Sequence, residues 1–167
     1  MSTNLANPRG FGYTIKVFYL LLTTIYLLVM RKVMIFGTFD GIHRGHREFL
    51  KEAKNQGDYL IAVIAQDHVV EHLKGHLPEM NLEERFRHLS DEDEVDQVVI
   101  GDAEIETWRA IQEYRPEIIA LGYDQTQLAE ALLSHIGEFD WHPEIKIMRS
   151  HEPNVYHSSI LKKTNNE

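Results

Sequence analysis

From Arg31 onward, short runs rich in Val and Ile alternate with amphipathic helical patterns, and this alternation most narrows the folds open to the chain. The strand-like runs are Lys32–Gly37, Tyr59–Ala65, Val95–Ile100, Glu117–Leu121 and Ile145–Met148. They lack strict polar/apolar alternation, as expected of strands covered on both faces. Between them lie helical stretches. The double-histidine turn opens one from Arg47 to Gln56, with Phe49, Leu50 and Ala53 as its apolar stripe and Gly57 as its stop. Leu82, Phe86 and Leu89 mark the next, with Asn81 as cap and Glu84 as its capping-box partner. Ile105, Trp108 and Ile111 mark a third, ending before Pro116, and Leu128, Ala131, Leu132 and Ile136 a fourth, closed by Gly137. A last short helix is expected from Ser158. Strand–helix alternation predicts an α/β fold: a doubly wound, Rossmann-like sheet of five parallel strands, order 3-2-1-4-5, with helices on both faces.

In such sheets ligands sit at the carboxyl ends of the strands where the winding reverses, here between the first and fourth strands. Both unusual loops fall there. The first strand runs into Phe36-Gly37-Thr38-Phe39-Asp40-Gly41-Ile42-His43-Arg44-Gly45-His46, and the fourth ends at Leu121-Gly122-Tyr123-Asp124-Gln125. In the first loop two imidazoles and several free backbone N–H groups meet where a strand hands over to a helix, a setting that attracts phosphate. Gly37 would let the backbone approach a ligand, and Thr38 offers a hydroxyl. His43 and His46 are close enough to grip one phosphate and to stabilise charge growing on it.

The 167 residues suit one domain with a real core. A net charge of −9 argues against a general nucleic-acid surface but leaves a small anionic ligand open. With no cysteine, disulfides, thiolate metal sites and cysteine nucleophiles are excluded. Residues 1–29 stand apart, carrying Arg9 and Lys16 but no acid. Val17–Met30 is a mostly apolar run, shorter than the roughly 20 residues of a membrane span. The expectation is an apolar N-terminal extension over 1–29, a misassigned start ahead of Met30 being preferred to a membrane anchor, a secretory signal or a helical appendage. The folded domain then occupies 30–167. Asp91-Glu92-Asp93-Glu94 is read as a solvated turn. His68 and His72 are four apart, but a metal site there lacks further identifiable ligands.

Gly37-Thr38-Phe39-Asp40-x-x-His43-x-Gly45-His46 resembles the signature of the HxGH nucleotidyltransferases, cytidylyltransferase-like branch, and the resemblance runs from about Arg31 to Lys162. Ala120-Leu121-Gly122-Tyr123-Asp124-Gln125 is similar to the fourth-strand loop of archaeal-type FAD synthases, with glycerol-3-phosphate cytidylyltransferases as near relatives. The resemblance implies a cytoplasmic enzyme that transfers AMP or CMP from a nucleoside triphosphate to a small phosphate-bearing acceptor and releases pyrophosphate, with FMN adenylyltransferase preferred. Glycerol-3-phosphate cytidylyltransferase and a non-catalytic nucleotide sensor are the alternatives. It further implies a homodimer, Mg2+ carried by the triphosphate, and neither nucleic acid nor membrane as partner.

Carried to this chain, the family's catalytic roles fall on His43 and His46, which bind the triphosphate and stabilise the transition state, with a phosphate-binding Lys74. Nucleotide contacts are expected from Gly37, Thr38, Phe39, Arg85, Gly122, Tyr123, Asp124 and Gln125, and from Ser158 and Ser159 at a helix start. Around those serines the chain departs from the pattern, with His157 before them and Arg149-Ser150-His151 in the approach. Asp40 is the nearest carboxylate to the turn, and a capping role is expected of it at least as much as a metal contact.

Overall fold

The computed structural model describes residues 9–148. The chain divides into two units, Met1–Met30 and Arg31–Glu167. In the first, α1 (Arg9–Val29) is a single helix on which Thr23 and Thr24 donate to the carbonyls four residues back. Among the described residues no helix is long and apolar enough to cross a membrane.

The second unit is built on β1 (Lys32–Gly37), β2 (Tyr59–Ile64), β3 (Gln97–Ile100), β4 (Ile118–Leu121) and β5 (Glu144–Ile147). All pairings are parallel and the order is β3-β2-β1-β4-β5, as the strand–helix alternation predicts. The strand residues sort by parity. Val33, Ile35, Leu60, Ala62, Ile64, Ile118 and Ala120 face one layer, with Leu50 and Ala53 of α2 (Arg44–Lys54) and Leu89 of α4 (Leu82–Ser90). Met34, Ile61, Val63, Ile119 and Leu121 face the other, with Ile111 of α5 (Arg109–Tyr114) and Leu132 of α6 (Thr126–His135). Two buried faces explain why the strands read as unbroken apolar runs.

The connections follow local rules in some places and break them in others. The capping box at the start of α4 forms as expected, Asn81 accepting from Glu84 N and Glu84 accepting from Asn81 N. A short helix, α3 (Asp67–Lys74), follows β2 and ends on Gly75 in the left-handed region, φ +77°. The helix expected from Arg47 begins three residues earlier, at Arg44, because His43 itself caps it: His43 Nδ1 accepts from His46 N at 3.3 Å. The helix expected over Ile105–Ile111 begins only at Arg109. The carboxylate of Asp102 accepts from Thr107 Oγ1 and from the backbone N–H groups of Arg109 and Ala110, and Glu106 and Trp108 take positive φ, so the chain turns where the spacing suggested a helix. At the end of α6, Gly137 lies within a short 3₁₀ turn, Ile136–Glu138, and does not close the helix.

Gly57 does not stop α2 by a left-handed cap. It is needed because the chain passes against Arg31: a Cβ there would lie 2.5 Å from the Arg31 carbonyl oxygen, which accepts from Asp58 N and Tyr59 N. Those bonds start the β1–β2 register, so the neighbour cannot yield cheaply. Gly57→Ala is expected to cost about 1–3 kcal/mol, read as a lower urea midpoint with an unchanged m-value.

Candidate active site

The site sits at the carboxyl ends of β1, β2 and β4, over a cavity of about 970 Å³. That is near the upper end of ordinary ligand sites, roughly 300–1,000 Å³, and leaves room for two small molecules side by side. His43, His46, Gly37, Thr38, Phe39, Lys74, Gly122, Tyr123, Asp124 and Gln125 all line it. Ser158 and Ser159 lie outside the described residues, as does the helix expected from Ser158.

The two histidines are together. Their ring centroids are 3.9 Å apart and the planes 27° from parallel. The stack follows from the cap: His43 is the N-cap and His46 the third residue of α2, one turn on, so both rings cover the same helix start. With His43 Nδ1 accepting a backbone hydrogen bond, the N–H of that ring is the one on Nε2. Both rings thus sit at the amino end of α2, the end of a helix that attracts anions.

Phe39 sets the shape of the turn. It is buried, adopts φ +52°, and its ring lies 5.8 Å from that of His46. A Cβ on Gly37 would come within 2.8 Å of the Phe39 ring. Gly37 is therefore small to admit Phe39, not only to admit a ligand. Phe39 acts here as packing beneath His46, from a backbone region that costs an L-residue energy.

Arg85 departs most from expectation. Expected among the nucleotide contacts, its side chain is fully buried and its donors are met from within the chain. Its Nε donates to Met80 O at 3.1 Å, Nη1 to Thr38 O at 2.5 Å, and Nη2 to Ala65 O at 2.8 Å and Asp67 Oδ1 at 2.5 Å. The apolar stripe of α4 gave no hint of this, because the partners are mainly backbone carbonyls. Asp40 works beside it, accepting from Glu79 N and Met80 N at 3.0 Å each. Its carboxylate is a cap for the segment entering α4. Among the described residues no group of three or more His, Asp or Glu is arranged to hold a metal ion. His68 instead bonds the Ala103 carbonyl through Nε2.

Across the cavity, Gln125 is also committed. Its Oε1 accepts from Gly122 N at 2.7 Å and its Nε2 donates to Phe36 O at 2.8 Å, tying the β4–α6 loop to the end of β1. A Cβ on Gly122 would lie 2.8 Å from Asp124 Oδ1, so the Asp124 carboxylate folds over a position that only glycine leaves clear. Gln125 thus holds the wall, of which Tyr123 and Asp124 form the rest. Arg47, next to His46, forms a two-pronged pair with Glu92, whose hydrogen bond and charge raise the guanidinium pKa above its ordinary value. Glu92 thus gives the acidic turn one fixed partner.

A histidine pair at the amino end of a helix, opening from the first strand of a parallel sheet of this order, defines a nucleotide-handling α/β domain. Solved structures share this fold. The lipopolysaccharide core biosynthesis protein from Thermoplasma volcanium superposes with a TM-score of 0.69 at 32% identity, covering 74% of this chain and 99% of that one. A pantoate-beta-alanine ligase from Francisella tularensis shares the fold alone, with a TM-score of 0.56 at 15% identity, covering 80% of this chain and 65% of that one.

Residues 34–164 match the cytidylyltransferase-like family, and the chain belongs to that family. Its relatives include an FAD synthase of Thermococcus sibiricus, 35% identical over 78% of this chain and 86% of that protein, and one of Thermoplasma acidophilum, 31% identical over 80% and 93%. An FAD synthase of Ferroglobus placidus is 44% identical over 58% of this chain, but the match spans only 61% of that protein.

Arg85 joins three loops by one guanidinium. Arg85→Ala should cost on the order of 2–4 kcal/mol, because it leaves three backbone carbonyls without their donor and opens a void where the side chain was buried. Chemical denaturation followed by circular dichroism measures the loss.

Proposed function

We propose that this chain transfers the AMP group of ATP to FMN, forming FAD and pyrophosphate. The observation that carries the reading is the stacked His43–His46 pair over a cavity with room for two substrates. The kinship with FAD synthases over more than three quarters of the chain supports this choice of nucleotide and acceptor.

The chemistry asks little of the protein beyond placement. A phosphate oxygen of the acceptor is already a nucleophile, so no covalent enzyme intermediate is needed. It attacks the α-phosphorus in line, the bond from that phosphorus to the bridging oxygen breaks, and pyrophosphate leaves with the electron pair. His43 and His46 donate to the triphosphate oxygens and stabilise the charge that builds there. Lys74, at the end of α3, neutralises the second phosphate group. Tyr123 and Asp124 meet the base and ribose. Mg2+ enters with the triphosphate as part of the substrate, which agrees with Asp40 being held by Glu79 N and Met80 N.

Pyrophosphate release measured for ATP and CTP against FMN and glycerol 3-phosphate tests the proposal. Turnover with ATP and FMN is expected; turnover only with CTP and glycerol 3-phosphate would replace the substrate assignment. Removing one donor of this kind costs about 10²–10³ in kcat, so His46→Ala should fall by that factor. His43→Asn should fall similarly while keeping a capping oxygen for α2 and an unchanged melting temperature.

A further inference from the structure

The cavity has a second wall that the nucleotide chemistry leaves unused. It is formed by α3 and by the loop between β3 and α5. Val69 and Leu73 are four apart on α3 and share a face; Ile105 and Trp108 come from the loop, and all four line the cavity. Leu73 is 62% exposed and Ile105 44%, large apolar side chains left open to solvent on a cavity wall. The two sides are tied together, since Gln66 Nε2 donates to Gly101 O and His68 Nε2 bonds Ala103 O, both at 2.8 Å. The loop is also held in costly geometry, with Glu106 at φ +62° and Trp108 at φ +54°.

One atom points to a ligand. The indole Nε1 of Trp108 is buried and has no hydrogen-bond partner, in a residue only 9% exposed. An orphan indole N–H is unusual in a folded chain, since buried donors nearly always find an acceptor. Its ring packs 5.8 Å from that of His135, among the core residues above the sheet.

Resting on the reading that the chain transfers a nucleotidyl group to a flavin phosphate, we propose that this wall is the acceptor-ring subsite. It takes a flat, fused heteroaromatic ring bearing hydrogen-bond acceptors. Leu73 and Ile105 cover the ring, the Trp108 indole N–H donates to its polar edge, and Lys74, the residue after Leu73, meets the acceptor's phosphate. The subsite selects against small polyol phosphates, which would leave Leu73 and Ile105 wet and the indole N–H orphaned.

The test uses the full chain as wild type, the double variant Leu73→Ala/Ile105→Ala, and Trp108→Phe, which keeps an aromatic ring and deletes the N–H. Steady-state KM values for FMN and ATP are measured, together with the quenching of FMN and riboflavin fluorescence as each binds the protein. Losing several apolar carbons from the ring contact should raise the KM for FMN about tenfold or more in the double variant, with the KM for ATP within about twofold. Trp108→Phe should raise the KM for FMN about fivefold, the scale of one neutral hydrogen bond, without lowering the melting temperature of the unliganded protein by a comparable step. Wild-type turnover of FMN with variant KM values unchanged would overturn the subsite and leave the reaction standing. Flavin quenching that the variants weaken, without FAD formation in the wild type, would keep the subsite and overturn the reaction. No flavin quenching and no FAD formation by the wild type would overturn both.

Discussion

The site depends first on one buried cation. The Arg85 guanidinium is taken wholly out of water, a step that costs several kcal/mol unless its donors are matched. They are matched by three backbone carbonyls and a carboxylate, and the carbonyls belong to three different segments: Thr38 after β1, Ala65 after β2 and Met80 before α4. Loops at the carboxyl end of a parallel sheet have no ladder to hold them. Here a planar fork of N–H groups does that work, and Asp40 reinforces it from the other side. Thr38 and Asp40 lie just ahead of His43, and Asp67 opens the helix that ends at Lys74. The anion-binding end and the acceptor wall are thus fixed to each other before any ligand arrives, the condition under which placement and charge stabilisation do most of the catalytic work.

The two sides of the cavity differ in chemistry because they are built differently. Around β1, α2 and β4 the walls are backbone N–H groups, imidazoles and a carboxylate, suited to phosphate and sugar. Around α3 and the β3–α5 loop, Val69, Leu73, Ile105 and Trp108 add an apolar and indole surface suited to a flat ring, among the charged side chains of Lys74, Asp102, Glu104 and Glu106. One sheet edge carries both because strand order puts β1 at the centre, with β2 and α3 on one side and β4 on the other. Such a division favours one polar and one aromatic substrate meeting over the central strand.

The sheet, its order and its layers were readable in the chain because burial on two faces leaves a clear compositional mark. The cap at Asn81 was readable for the same kind of reason: a local rule with a local partner. The joining of His43 and His46 followed from their spacing after a strand. Arg85 was not readable, since side-chain periodicity carries no signal for backbone carbonyls 20 to 47 positions away. Nor was the late start of α5, where the apolar spacing of Ile105, Trp108 and Ile111 mimics a helix and a single carboxylate, Asp102, decides otherwise. Gly37 was read as room for a ligand and Gly57 as a helix stop, and each also makes room within the fold: one for the Phe39 ring, the other for the Arg31 carbonyl.

Gln125 has a consequence of its own. Its amide bridges Gly122 N and Phe36 O, so the gap between the first and fourth strands at the mouth of the crevice is spanned by one side chain of fixed length. The width of the slot is therefore not a free variable for this scaffold. If Tyr123 and Asp124 meet the base as proposed, a lineage changing from one nucleobase to another would do so by exchanging what projects from that rim, while the distance between the rims stayed as the glutamine sets it.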